Sequence, residues 1–326
     1  MRRRGTVRRG AWLLAGLLAA AGAPAGEEAV VPAWLYPANS ATAGPKADPG
    51  EVLHLEGSGA AFTRAELANL FSAPDWHATE HAPSPAIVAR GRAPQVYACG
   101  YCHTPTGQGR PENAPLAGLT AAYIAEQVAA FASGRRRGAS AAAYPPSELM
   151  IQVAKHLKPE ETAAAADYFA RQTPQRRARI IESARVPRSR VIGLVYAAIA
   201  GGGEEPLGPR LLEFAPDPER HELRDDRMQY LAYVPPGSIA RGGAIARAGV
   251  AGPSSACESC HGPKLKGMGP APSLAGRSPT YLLRSLYAFK TGRREAGSAV
   301  LMQPVTRSLS SAQMIDAVAY AASLPP

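Results

Sequence analysis

Apolar positions in this chain recur at helical spacing in two widely separated stretches. From Leu116 it reads LAGLTAAYIAEQVAAFASGRRR, and from Leu274 it reads LAGRSPTYLLRSLYAFKTGRRE. Aromatic residues return on one side of each run, Tyr123 and Phe131 in the first, Tyr281 and Phe289 in the second, and Gly134 or Gly292 closes it. The pattern predicts two amphipathic helices with their apolar sides in a core. A further helix is expected after each: Pro159 followed by Glu160 and Glu161 opens one, and Ser310 with Gln313 forms a capping box for the other. A short helix is also expected at TRAELANLF, where Thr63 and Glu66 make a capping box. No run alternates well enough to predict a strand, so the expected fold is all-α.

The two stretches belong to an internal repeat. Landmarks from Cys99 to Gly134 return 158 residues later, from Cys257 to Gly292. Met150, Leu157 and Tyr168 return as Met302, Leu309 and Tyr320 at an offset of 152, which leaves six extra residues in a loop of the first copy. Surface loops absorb such insertions at little cost.

Composition sets the class. With 326 residues, 46% hydrophobic and 19% charged, the chain has material for two ordinary cores. Residues 1–25 combine five arginines, the short apolar run AWLLAGLLAA and small residues at Ala23 to Ala25, the signature of a cleaved signal peptide directing export to the periplasm. Sec and twin-arginine routes both accommodate it. Without those arginines the formal net charge falls from +10 to about +5, too mild and dispersed for a nucleic-acid partner. VIGLVYAAIA, from Val191, is too short to span a bilayer, so no transmembrane segment is expected after processing.

All four cysteines fall in two copies of C-x-x-C-H: Cys99, Cys102, His103 and Cys257, Cys260, His261. Zinc knuckles would lie about 15 to 20 residues apart, and a redox disulfide gives no reason for the histidine, whereas haem attachment explains all three residues. Each pair of thiols can form thioethers to haem vinyl groups, with the adjacent imidazole as proximal iron ligand. HATEH, from His77, matches the H-x-x-E-H protease pattern, but prolines crowd it and no third zinc ligand follows.

The motif, PSLAG at Pro272 to Gly276, Tyr281, Phe289, GRR and a late methionine before a tyrosine-bearing last helix together resemble class I cytochromes c. Two such units in one exported chain resemble the diheme cytochromes of the c-four type. The resemblance implies two tandem domains, residues 86–173 and 239–326, each wrapped around one covalently bound haem c. Residues 26–85 would be an N-terminal extension and 174–238 an ordered interdomain linker rather than a third domain. The resemblance further implies Met150 and Met302 as sixth iron ligands and Arg136 and Arg294 as propionate partners. It also implies a carbonyl near a proline accepting from each proximal histidine: Pro272 stands in that place in the second copy, while the first reads Ala114-Pro115, one position shifted. The implied function is a periplasmic electron carrier between respiratory redox proteins, such as a quinol-oxidising complex, a terminal oxidase or a dehydrogenase. A cytochrome subunit of a periplasmic dehydrogenase and a diheme peroxidase are the alternatives.

Overall fold

The computed structural model describes residues 30–38, 47–140, 144–252 and 255–326, so the signal-peptide expectation for residues 1–25 lies outside the described residues. After a 3-10 turn at Ala33–Leu35, a small hairpin of β1 (Val52–His54) and β2 (Ala61–Thr63) leads into α1 (Arg64–Ala68). Thr63 and Glu66 form the capping box at that helix. The first repeat holds α2 (Ala86–Ala89), α3 (Cys99–His103), α4 (Ala121–Ala132), α5 (Pro145–His156) and α6 (Pro159–Ala170).

The all-α expectation is overturned between the repeats. Residues 178–234 form β3 (Ala178–Glu182), β4 (Arg185–Pro187), β5 (Ser189–Ile192), β6 (Val195–Ala198), β7 (Glu204–Pro206), β8 (Leu212–Phe214), the short α7 (Pro218–Glu222) and β9 (Tyr230–Val234). Five of the strands make a mixed sheet in the order β3-β9-β8-β6-β5, and β4 pairs with β7. The apolar run from Val191 is the hairpin of β5 and β6, turning at Gly193 and Leu194. The strands escaped sequence reasoning because the central strands of the sheet are covered on both faces. Tyr230, Ala232 and Ala178 pack with Val195 and Met228, while Leu212 and Phe214 pack with Val186, Leu207 and Trp34. A strand buried on both sides loses the polar alternation that marks a half-exposed one. The segment is therefore a packed β unit with its own core.

The second repeat holds α8 (Ser238–Ala248), α9 (Cys257–His261), α10 (Pro279–Lys290), α11 (Met302–Ser308) and α12 (Ser311–Ser323). The sequence offset of 158 relates α3 to α9 and α4 to α10 at both ends of each helix. Ser310 and Gln313 complete the cap of α12. Gly242 lets α8 lie directly on α12: a Cβ there would stand 1.9 Å from the carbonyl oxygen of Asp316. Arg241 then clamps the pair through both oxygens of Asp316, each at 2.8 Å.

The sheet leans on the second repeat, with Ile180 of β3 against the α10 and α12 core and Glu213 of β8 capping α10 through Ser278 and Thr280. The repeats themselves touch through a backbone bridge at Arg136 and Arg294. Flanking it, Arg137 N–H donates to Arg293 C=O and Glu295 N–H donates to Arg135 C=O. Among the described residues no helix is long and apolar enough to cross a membrane.

Candidate haem sites

Each C-x-x-C-H stretch is one short helix, and the chain then reverses through a positive φ, at Thr104 (64°) in the first copy and Gly262 (73°) in the second. The reversal brings the next loop under the histidine. His103 Nδ1–H donates to Ala114 C=O at 2.8 Å and His261 Nδ1–H to Pro272 C=O at 2.7 Å. Both acceptors lie eleven residues beyond the histidine, so the shifted proline of the first copy does not displace this contact. The bond fixes ring orientation and leaves Nε2 for a ligand. Burial lowers both imidazole pKa values, which keeps them in the neutral, metal-binding form.

Cys99, Cys102, His103 and Met150 line one cavity of about 560 Å³, within the range of sites that enclose cofactor-sized ligands. Arg136 and Arg294 line it as well. In the second repeat His261 is buried, Cys257 and Met302 are half-buried and Cys260 is exposed. No disulfide joins any of the four cysteines. Burial pushes the Cys99 thiol up to about 12 and the Cys257 thiol up to about 11, the opposite of a thiol activated for disulfide exchange.

The two arginines cross between repeats. Arg136 donates to Tyr281 Oη of the second repeat at 3.2 Å, and Arg294 donates to Tyr123 Oη of the first at 2.6 Å. Both also reach Gln127 Oε1. Among the described residues neither has a carboxylate partner, and the Arg294 Nε donor is buried without an acceptor. Burial alone would raise the Tyr281 phenol, but Arg136 and Arg294 outweigh it and bring it down to about 8. Two buried cations without carboxylates, one of them with a spare donor, beside a cavity fit an anionic group, as the carboxylates of a haem would supply.

Several cavity residues were absent from the sequence reading. Arg284 of α10 reaches Leu35 C=O and Pro111 C=O, with one Nη unpartnered. Its signal was a lone charge on the apolar side of YLLRSLYAF. Arg110 pairs with Glu112 at 3.1 Å and donates to His221 Nε2 at 2.7 Å. Burial would raise Glu112, but Arg110 holds it below the usual carboxylate range. Burial and then Arg110 push His221 down to about 3. His221 belongs to the β unit, and nothing local in the sequence connected it to the first motif.

His77 and His81 sit in a turn rather than a helix, and His81 Nε2 pairs with Asp75 at 3.1 Å. The protease pattern needs both histidines on one helical face, so that geometry is absent here.

The residue set is that of a covalent haem protein, and comparison with known proteins agrees. The family model described as Cytochrome c matches residues 240–325. Cytochrome c-554(548) of Halomonas halodenitrificans is 41% identical over 68 residues, 21% of this chain and 82% of that protein. The thiosulfate dehydrogenase electron acceptor of Thiomonas intermedia is 27% identical over 235 residues, 71% of this chain and 81% of that protein. Cytochrome c4 of Thiocapsa roseopersicina is 35% identical over 80 residues, 24% of this chain and 40% of that protein. The chain belongs to the cytochrome c family, and its work is electron transfer.

Proposed function

We propose that each C-x-x-C-H helix carries one covalently attached haem c, two in all, and that the chain passes single electrons between redox partners in the periplasm. Cys99, Cys102, Cys257 and Cys260 are the attachment points. His103 with Met150, and His261 with Met302, would hold the irons, and Arg136 and Arg294 would pair with the haem carboxylates. The observation that carries this reading is the pair of buried guanidiniums without carboxylates, beside a cavity that also gathers two thiols, an imidazole and a thioether.

Haem c supplies a one-electron ferrous–ferric couple. The chain holds His103 and His261 neutral and oriented through Ala114 and Pro272. Ligation by a methionine thioether together with an imidazole would favour the reduced form. Apolar walls and fixed guanidiniums exclude water and keep reorganisation small. An iron held by His103 and Met150, or by His261 and Met302, would leave no position for a substrate, so the chain acts as a carrier and not as an enzyme.

The relative whose name is thiosulfate dehydrogenase electron acceptor favours a dehydrogenase as electron donor, with this chain as its partner or cytochrome subunit. Mass spectrometry of the purified protein tests the reading: two thioether-bound haems are expected, and fewer would reject it. The ferric absorption spectrum should carry the methionine-to-iron charge-transfer band from both sites and stay unchanged on adding peroxide. Loss of that band at one site with peroxide turnover would favour the peroxidase alternative.

A further inference from the structure

His77, Asp225 and Asp226 meet where the N-terminal extension packs on the turn before β9, outside both cysteine motifs. They are 6%, 2% and 7% exposed. One ligand atom from each lies within 4.8 Å of the others. His77 Nε2 is buried with no hydrogen-bond partner and faces Asp225 Oδ1 at 3.8 Å. A buried imidazole nitrogen aimed at two carboxylates, yet beyond hydrogen-bond reach of them, has the composition of a cation site.

We propose that these three residues bind one divalent first-row transition metal ion of zinc type. Imidazole nitrogen with carboxylate oxygens suits such an ion better than the all-oxygen shell that calcium or magnesium prefers. Zinc bonds of about 2.0–2.2 Å put neighbouring ligand atoms roughly 3.4 Å apart, so the widest present gap closes by roughly 1.4 Å through side-chain rotation. Water completes the shell.

The surroundings are already arranged to orient such ligands. Glu80 Oε1 lies 3.7 Å from His77 Nδ1, the carboxylate–histidine relation usual behind a metal-bound imidazole. Arg220 Nε holds Asp225 Oδ2 at 2.7 Å, which directs Oδ1 toward His77. That Oδ1 also accepts Arg227 N–H at 2.9 Å, leaving a second lone pair for an ion. Thr106 Oγ1 donates to Asp226 Oδ2 at 2.8 Å. Trp76 Nε1–H donates to Leu223 C=O at 2.6 Å across the same junction. The ion would therefore staple the extension to the β unit, and through Thr106 to the loop that follows the first C-x-x-C-H helix.

The test uses the full holoprotein, in which the motif thiols are consumed, after chelator treatment. Calorimetric titration with zinc chloride should give one site per chain, and the melting temperature should rise with zinc. His77→Ala and Asp226→Asn should each weaken binding at least tenfold and remove the melting shift, while His54→Ala, at the hairpin, should not. The amide oxygen introduced by Asp226→Asn can still accept from Thr106, so this variant keeps the local hydrogen bond even if His77→Ala fails to fold. X-ray absorption at the zinc edge of the unmutated protein should show a nitrogen and oxygen shell that includes imidazole. No saturable uptake, uptake that survives both substitutions, or a shell of sulfur or of water alone would overturn the proposal.

Discussion

The two C-x-x-C-H helices are the same five-residue element, yet they sit in different company. The second lies in a repeat with its full set of helices: α8 packs along α12 through Gly242, a long apolar core shared with the β unit runs beneath α10, and Cys260 reaches solvent. The first repeat replaces α8 with the single turn of α2. What it lacks is supplied from outside, by Tyr36 and Leu70 of the extension, by His221 and Arg224 of the β unit, and by Arg284 and Arg294 of the second repeat, all lining its cavity. A repeat can thus lose a helix and keep its site when neighbouring segments take over the walls. The family model matches only the second repeat, the one that keeps the long helix before its motif.

Removing attachment at each site in turn is the harshest way to probe that difference. Cys99→Ala with Cys102→Ala, and separately Cys257→Ala with Cys260→Ala, should each lower the haem count by one in mass spectrometry. The first pair should lower the melting temperature more, because its cavity lies where extension, β unit and both repeats meet.

Acid should separate the regions next. His221 is held at about 3 against its ordinary 6.5, so between these values the unfolded chain binds a proton that the native one refuses. Stability therefore falls as pH drops from 6.5 toward 3, by up to about 1.4 kcal/mol per unit from this group alone. The depressed Glu112 adds a loss of the same sign below its ordinary 4.5. Arg110, Arg224 and Tyr230 surround this pair. Denaturant titrations across this range should show the fall, and His221→Gln should flatten it.

Smaller effects sharpen the contrast. Met150→Ala and Met302→Ala should each lower the potential of one transition in spectroelectrochemistry by something on the order of 0.1 V, within the ~0.8 V that axial ligands span. In the unmutated protein the transition assigned through Met150→Ala should be the higher, since its site is more enclosed and has Arg110, Arg136 and Arg224 along its cavity. Smallest of all, Ser310→Ala should cost about 1 kcal/mol by removing the cap of α12. Lys158→Ala at the matching start of α6 should cost nothing measurable, because a lysine side chain cannot accept from the helix and the bond there runs from Lys158 N–H to Glu161.

Helices proved legible wherever one face was buried and the other wet. The repeat offset placed α4 on α10 to the residue, and the caps at Thr63 and Ser310 stand where their spacing indicated. The β unit was hidden because YLAYV and LEF are covered on both sides and because GGGEEPLG and APDPERHELRDD read as turn and charge. Arg136 and Arg294 could be nominated from a motif, but their reach into the opposite repeat depends on contacts between segments about 150 residues apart. Arg110, His221 and Tyr230 form one buried chain of hydrogen bonds across a similar gap, which no local pattern encodes.

The backbone bridge at Arg136 and Arg294 joins the repeats with main-chain bonds rather than side chains alone. A hinge there would have to break the bonds of Arg137 and Glu295 before either half could swing. The spacing between the two C-x-x-C-H helices is thereby set when the protein folds, and electron exchange between haems held on them should proceed at the same rate in thick glycerol as in dilute buffer.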